Sequence, residues 1–133
     1  MTSAASARAT ITVSALSPRK AGLAVEHYRA WTLMDKVLEH IGAARDRDTQ
    51  GKATESRPLL QSAVRIIREL QAALDLHDGG AIAANVDDLY DYMCRRLQAA
   101  ALHKEVAALD EVMHLLHALR SAWAFMPPEV RSA

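Results

Sequence analysis

Glu111 and His114 stand three residues apart, the spacing of the Glu-x-x-His element with which helical bundles hold paired iron or manganese ions. That chemistry needs a second such pair and two further inward glutamates, and the sequence has no second pair. Helical phase argues against it too. At about 100° per residue, Glu111 and His114 fall opposite the apolar positions Leu109, Val112, Leu116 and Trp123, and so should face water. The six histidines, His117 among them, read as surface residues, and no metal is expected.

Other catalytic chemistries fail on similar grounds. Cys94 is the only cysteine, so no intrachain disulfide can form and a reducing compartment is the simple reading. It falls on the flank of a predicted helix with no base beside it, which makes it a structural thiol rather than a nucleophile. Gly79-Gly80 joins two helical stretches, whereas a phosphate-binding loop follows a strand. Arg95 and Arg96 follow Tyr90 and Tyr92, a mixture that can stack on and pair with nucleic acid. Asp87, Asp88 and Asp91 share that helix and would repel phosphate. Lysine plus arginine balances aspartate plus glutamate at 16 each, so no overall field draws the chain to nucleic acid or anionic lipid. The expectation is a protein that is not an enzyme and needs no cofactor.

What remains is a surface for a partner. Asn85, Leu89, Tyr92 and Arg96 are spaced by four, three and four residues, which keeps them on one flank of a helix. An amide, an aliphatic, an aromatic and a guanidinium in one row suit a groove for an amphipathic helix. Asn85 can hydrogen-bond an incoming backbone and Arg96 can pair with a carboxylate. The same residues also fit an ordinary bundle boundary, with Tyr92 lying along a neighbouring helix, and spacing alone leaves both readings open.

The elements that must position this row are helical. Half of the 133 residues are apolar, glycine and proline are few, and alanine and leucine dominate. A first helix is predicted from Leu23 to Arg45, with Leu23, Ala30, Trp31, Met34, Val37, Leu38 and Ile41 returning at helical spacing and so facing inward. Asp46 to Ser56 is polar, contains Gly51 and reads as a loop, with Thr54 or Ser56 as N-cap and Pro58 in the next first turn. The second helix runs from Arg57 to Leu76, with Leu59, Leu60, Ala63, Ile66, Ile67, Leu70 and Leu74 as its stripe, and is stopped by Gly79-Gly80. The third runs from Ala81 to Leu102, with Ile82, Val86, Leu89, Met93, Leu97 and Ala100 as its apolar face. The fourth runs from Lys104 to Phe125 and ends at Pro127-Pro128.

Four such helices with mostly short connections pack most simply as an all-α, antiparallel up-down bundle. Residues 21–126 form that domain, after a flexible or short-helical N-terminal tail over 1–20, in which Pro18 breaks any regular element, and before a C-terminal tail over 127–133. The tail lacks the apolar block of a secretory signal, and no apolar run approaches membrane-spanning length. Helices of about 20 residues make a rod roughly 30 Å long with grooves between its helices. Zero net charge and exposed grooves are compatible with a homodimer.

One long run carries more information than any spacing. Leu74-Asp75-Leu76-His77-Asp78-Gly79-Gly80-Ala81-Ile82-Ala83-Ala84-Asn85-Val86-Asp87-Asp88-Leu89-Tyr90-Asp91-Tyr92-Met93 resembles the signature of the flagellar export chaperone family, FliS. The similarity continues through Arg95-Arg96-Leu97, Leu109-Asp110-Glu111-Val112 and Ala122-Trp123, and Ala63 to Leu70 looks like the family's second long helix. The first helix departs from the pattern. Val25-Glu26 stands where the family has Ser-Pro, Leu33-Met34-Asp35-Lys36 where it has Leu-Tyr-Asp-Gly, and no tyrosine precedes Tyr28.

The resemblance implies a cytoplasmic helical bundle that binds the C-terminal region of unpolymerised flagellin. Binding would prevent premature assembly and present the client to the flagellar type III secretion apparatus. Contacts with an export gate protein and with regulators of flagellin supply are also implied. The family supports importance for the motif residues, so Ile82 and Tyr90 join Asn85, Leu89, Tyr92 and Arg96 as candidate partner-binding residues. The altered first helix motivates an alternative, a regulatory or scaffolding bundle that binds another flagellar protein.

Overall fold

The computed structural model describes residues 18–126, with side chains from Tyr28 onward. Expectations for the two tails, apart from Pro18 to Lys20, lie outside the described residues, as does the inward placing of Leu23. Within the described residues there are four helices: α1 (Pro18–Thr49), α2 (Ala53–Ala72), α3 (Gly80–His103) and α4 (Val106–Trp123).

Each helix packs on the next, and α4 packs back on α1. Cross-helix pairs fix the directions. Arg29 near the start of α1 meets Glu69 near the end of α2, and Arg45 late in α1 meets Asp110 early in α4. Arg68 late in α2 meets Asp91 in the first half of α3, and Arg96 late in α3 meets Glu111 early in α4. Every neighbouring pair is therefore antiparallel, and the fold is the all-α up-down bundle that periodicity predicts.

The core follows from the stripes. Met34, Val37 and Ile41 of α1, Leu60, Ala63 and Ile67 of α2, Met93 and Leu97 of α3, and Leu109, Val112 and Leu116 of α4 are fully or almost fully buried. Burying a side chain of the Leu, Ile or Met class contributes roughly 1.5–3 kcal/mol. Trp123 closes the core near the end of α4 at 2% exposure.

The helix ends depart from the sequence reading in four places. Pro18 begins α1 rather than breaking it, in keeping with proline's fit to a first helical position. The expected Asp46–Ser56 loop shrinks to a turn at Gln50–Lys52, because α1 continues to Thr49 and α2 begins at Ala53. Its reversal uses Gly51 at φ +75°, a conformation open to glycine. Ser56 is then a buried residue inside α2, its hydroxyl donating to the Ala53 carbonyl at 3.2 Å, and the cap position is Lys52. At the other end, α2 stops at Ala72, and Asp75 organises the return: its Oδ1 accepts from Asp78 N–H at 2.9 Å and its carbonyl from Gly79 N–H at 2.8 Å.

Candidate partner interface

Helix α3 has an inward side, two flanks beside its neighbours, and an outer side with exposed residues such as Ala84, Asp88 and Arg95. The inward side carries Ala83, Val86, Tyr90, Met93, Leu97 and Ala100. Ile82 and Leu89, expected on that apolar face, lie off it: Ile82 is 47% exposed and Leu89 is half-buried. Tyr90 moves the opposite way. It is fully buried, so in this state it has no surface to offer a partner, and burial pushes its phenol well above the usual range. Cys94 is also buried rather than on the flank. Its Sγ points at the Val64 carbonyl of α2, and burial raises its pKa, the reverse of what a nucleophilic thiol needs.

The other candidates do share one flank, the one facing α4. Along it run exposed Ile82 and Asn85, then half-buried Leu89, Tyr92 and Arg96. The Asn85 amide makes no hydrogen bond within the described chain, so it is open to an incoming group. Tyr92 and Arg96 are held by α4. The Tyr92 hydroxyl lies 2.9 Å from both carboxylate oxygens of Glu111, and Arg96 Nε donates to Glu111 Oε1 at 2.7 Å. Arg96 also pairs with Glu105 at 3.5 Å. Glu111 is thus a half-buried seam residue and does not simply face water. The hydrogen bond from Arg96, then that from Tyr92, holds its carboxyl below the usual range. The same bonds raise the Tyr92 phenol and the Arg96 guanidinium.

These bonds fix the register of the α3/α4 seam. With Tyr92 and Arg96 level with Glu111, one step toward the start of α3 brings Leu89 level with Leu115. Asn85 then comes level with Ala118, and Ile82 with Ala122. Leu115 is half-buried, while Ala118 and Ala122 are exposed and too small to cover the seam. Ile82, Leu89 and Leu115 therefore lie along this seam, with the Asn85 amide between Ile82 and Leu89 and the Tyr92–Arg96–Glu111 clasp at one end. Beyond the other end lies Phe125, 89% exposed. Glu111 is the site residue that helical phase missed. Phase on α4 alone says which side Glu111 faces, but only the register between α3 and α4 shows what stands there.

Among the described residues one carboxylate cluster lies nearby. The carboxylates of Asp87, Asp88 and Asp91 lie close together on α3, yet Asp87 and Asp91 already accept from Gln71 Nε2, and Asp91 also from Arg68. No helix among the described residues is long and apolar enough to cross a membrane.

Comparison with known proteins places the sequence among flagellar proteins. The family described as flagellar protein FliS matches residues 20–130. The flagellar secretion chaperone FliS of Vibrio cholerae is 33% identical over 97 residues, covering 73% of this chain and 71% of the relative. The flagellar secretion chaperone FliSB of Pseudomonas aeruginosa is 38% identical over 91 residues, covering 68% and 72%. The FliS of Salmonella typhimurium is 41% identical over 81 residues, 60% of each chain. With its signature run on α3 and a match that spans all four helices, this chain belongs to the FliS family of flagellar proteins.

Proposed function

We propose that this chain is a cytoplasmic export chaperone that holds the C-terminal region of unpolymerised flagellin and delivers it to the flagellar type III secretion apparatus. The observation that carries the reading is the α4-facing flank of α3, where Ile82 and Asn85 are exposed, Leu89 is half-buried, and Tyr92 and Arg96 are clasped to Glu111. The names of the relatives, flagellar secretion chaperones, support the export role.

The physical logic runs from client to surface. A segment that is disordered when free loses conformational entropy on binding, so it needs a long apolar contact. The α3/α4 flank offers Ile82, Leu89 and Leu115 to such a contact. Asn85 gives a hydrogen bond to an incoming backbone, and the Tyr92–Arg96–Glu111 clasp supplies a polar end that fixes position. Such binding needs no catalysis. Tyr90 supports the row from below as a fully buried core residue of α3.

Co-purification with full-length flagellin and with flagellin lacking its C-terminal segment tests this. Capture of the first and loss of the second is the expected result. Equal capture of both would overturn the binding mode.

A further inference from the structure

The seam between α2 and α3 has two unlike halves. Toward the end of α2 it is closed by polar bonds: Arg68 Nη1 donates to Asp91 at 2.6 Å, and Gln71 Nε2 to Asp87 at 2.9 Å. Toward the start of α2 it opens into a groove of about 260 Å³. Leu60, Val64, Leu97 and Ala101 form its floor, between Gln61 and Gln98. That volume is below the roughly 300–1,000 Å³ of small-molecule pockets. An open groove of this size, running along two helices, accepts a row of side chains rather than an enclosed ligand.

The rim carries charge of one sign. Arg65 lines the groove, Arg57 sits one turn before Gln61 on the same side of α2, and Arg95 follows Asp91 by one turn on α3. None of the three has an ion pair among the described residues, and Arg65 donates only to the Ser62 hydroxyl at 3.0 Å. The nearby carboxylates are committed elsewhere, Glu55 to Arg47 on α1 and Asp91 to Arg68. In a chain of zero net charge, three arginines without an ion pair beside one apolar groove are a local asymmetry, with Arg95 acting only through space on Asp91 one turn before it.

We propose that this half-groove is a second docking surface, separate from the α3/α4 flank, for an amphipathic helix of a partner protein with Asp or Glu flanking its apolar ridge. The floor asks for aliphatic side chains at i, i+4 and i+7. The arginines ask for carboxylates, which they can take in paired hydrogen bonds. Nucleic acid fits less well, because the floor has no aromatic ring for a base.

Two synthetic peptides with the same leucines, one flanked by glutamate and one by lysine, would be titrated against the full chain by fluorescence anisotropy. The glutamate peptide is expected to bind at least about tenfold more tightly, and R65E/R95E to reverse the order. Both substitutions are at exposed positions, so thermal unfolding and capture of full-length flagellin should be unchanged. Equal binding of the two peptides, or unaltered preference in the double variant, would overturn the proposal. Loss of flagellin capture in R65E/R95E would merge this groove with the client site and overturn its separateness. Conversion of a dimer to a monomer by R65E/R95E in sedimentation would make a second copy the occupant and overturn the partner helix. Failure of the flagellin reading alone would leave the peptide preference intact.

Discussion

Tyr90 carries a hydroxyl into the bundle's centre, where it has no hydrogen-bond partner among the described residues. An unsatisfied buried polar group costs about 1–3 kcal/mol, whereas an aromatic ring truncated to alanine leaves a cavity costing about 3–5 kcal/mol. Tyr90→Phe should therefore leave stability unchanged or raise it by about 1 kcal/mol in urea unfolding, while Tyr90→Ala should lower it by several. A clear loss on Tyr90→Phe would show that the hydroxyl has a partner in solution. Glu111 presents the opposite case, a charge that is wanted. Its carboxyl value is lowered in the fold by Arg96 and Tyr92, so its contribution is present above the ordinary 4.5 and lost as pH falls through the lower folded value. Thermal unfolding of Glu111→Gln should lie below that of the native chain at neutral pH, and the gap should close in acid. A gap that persists at low pH would assign the effect to packing.

The helix centres were legible in the sequence and the helix ends were not, for a physical reason. Stripes such as Leu60–Ala63–Ile67–Leu70 must be buried, and burial repeats at the helical period. The stretch Arg45 to Ser56 has no stripe to repeat, and its polarity is equally natural for a loop and for a solvated helix surface. Ion pairs that only the fold creates, Arg45–Asp110 and Arg47–Glu55, decorate it as helix. The same limit explains the candidate site. The flank holding Asn85, Leu89, Tyr92 and Arg96 followed from spacing, but its bonds to Glu111 depend on a register between helices that no single helix encodes. One helix end invites a direct test. Lys104 closes α3 in the left-handed conformation, φ 55°, with its N–H on the Ala100 carbonyl at 2.8 Å. A non-glycine residue there is strained by about 1–2 kcal/mol, partly offset by glycine's greater freedom when unfolded. Lys104→Gly should raise stability by up to about 1 kcal/mol in urea unfolding. A decrease would show that the lysine side chain holds the turn.

At the scale of the whole molecule, the bundle is unevenly finished. Its antiparallel order puts the start of α1, the α2–α3 connection and the end of α4 at one end of the rod. Four large exposed apolar residues gather there: Tyr28 at 72% exposure, Leu76 at 54%, Ile82 at 47% and Phe125 at 89%. The opposite end exposes Leu102. The chain also has zero formal charge and an isoelectric point near 7.0, so at neutral pH no net repulsion keeps such ends apart. The isolated protein should therefore self-associate weakly through this end, most strongly near neutrality, and light scattering should fall as pH moves to either side. Leu76→Ser with Phe125→Ser should lower the scattering at pH 7 with little change in the unfolding midpoint, because Phe125 is almost wholly exposed and Leu76 more than half. Scattering that is independent of pH and unaltered by the double substitution would place any association elsewhere. A client that covers Ile82 and the adjoining α3/α4 flank should suppress the same signal, because it removes from water part of the surface through which the free chaperone would meet itself.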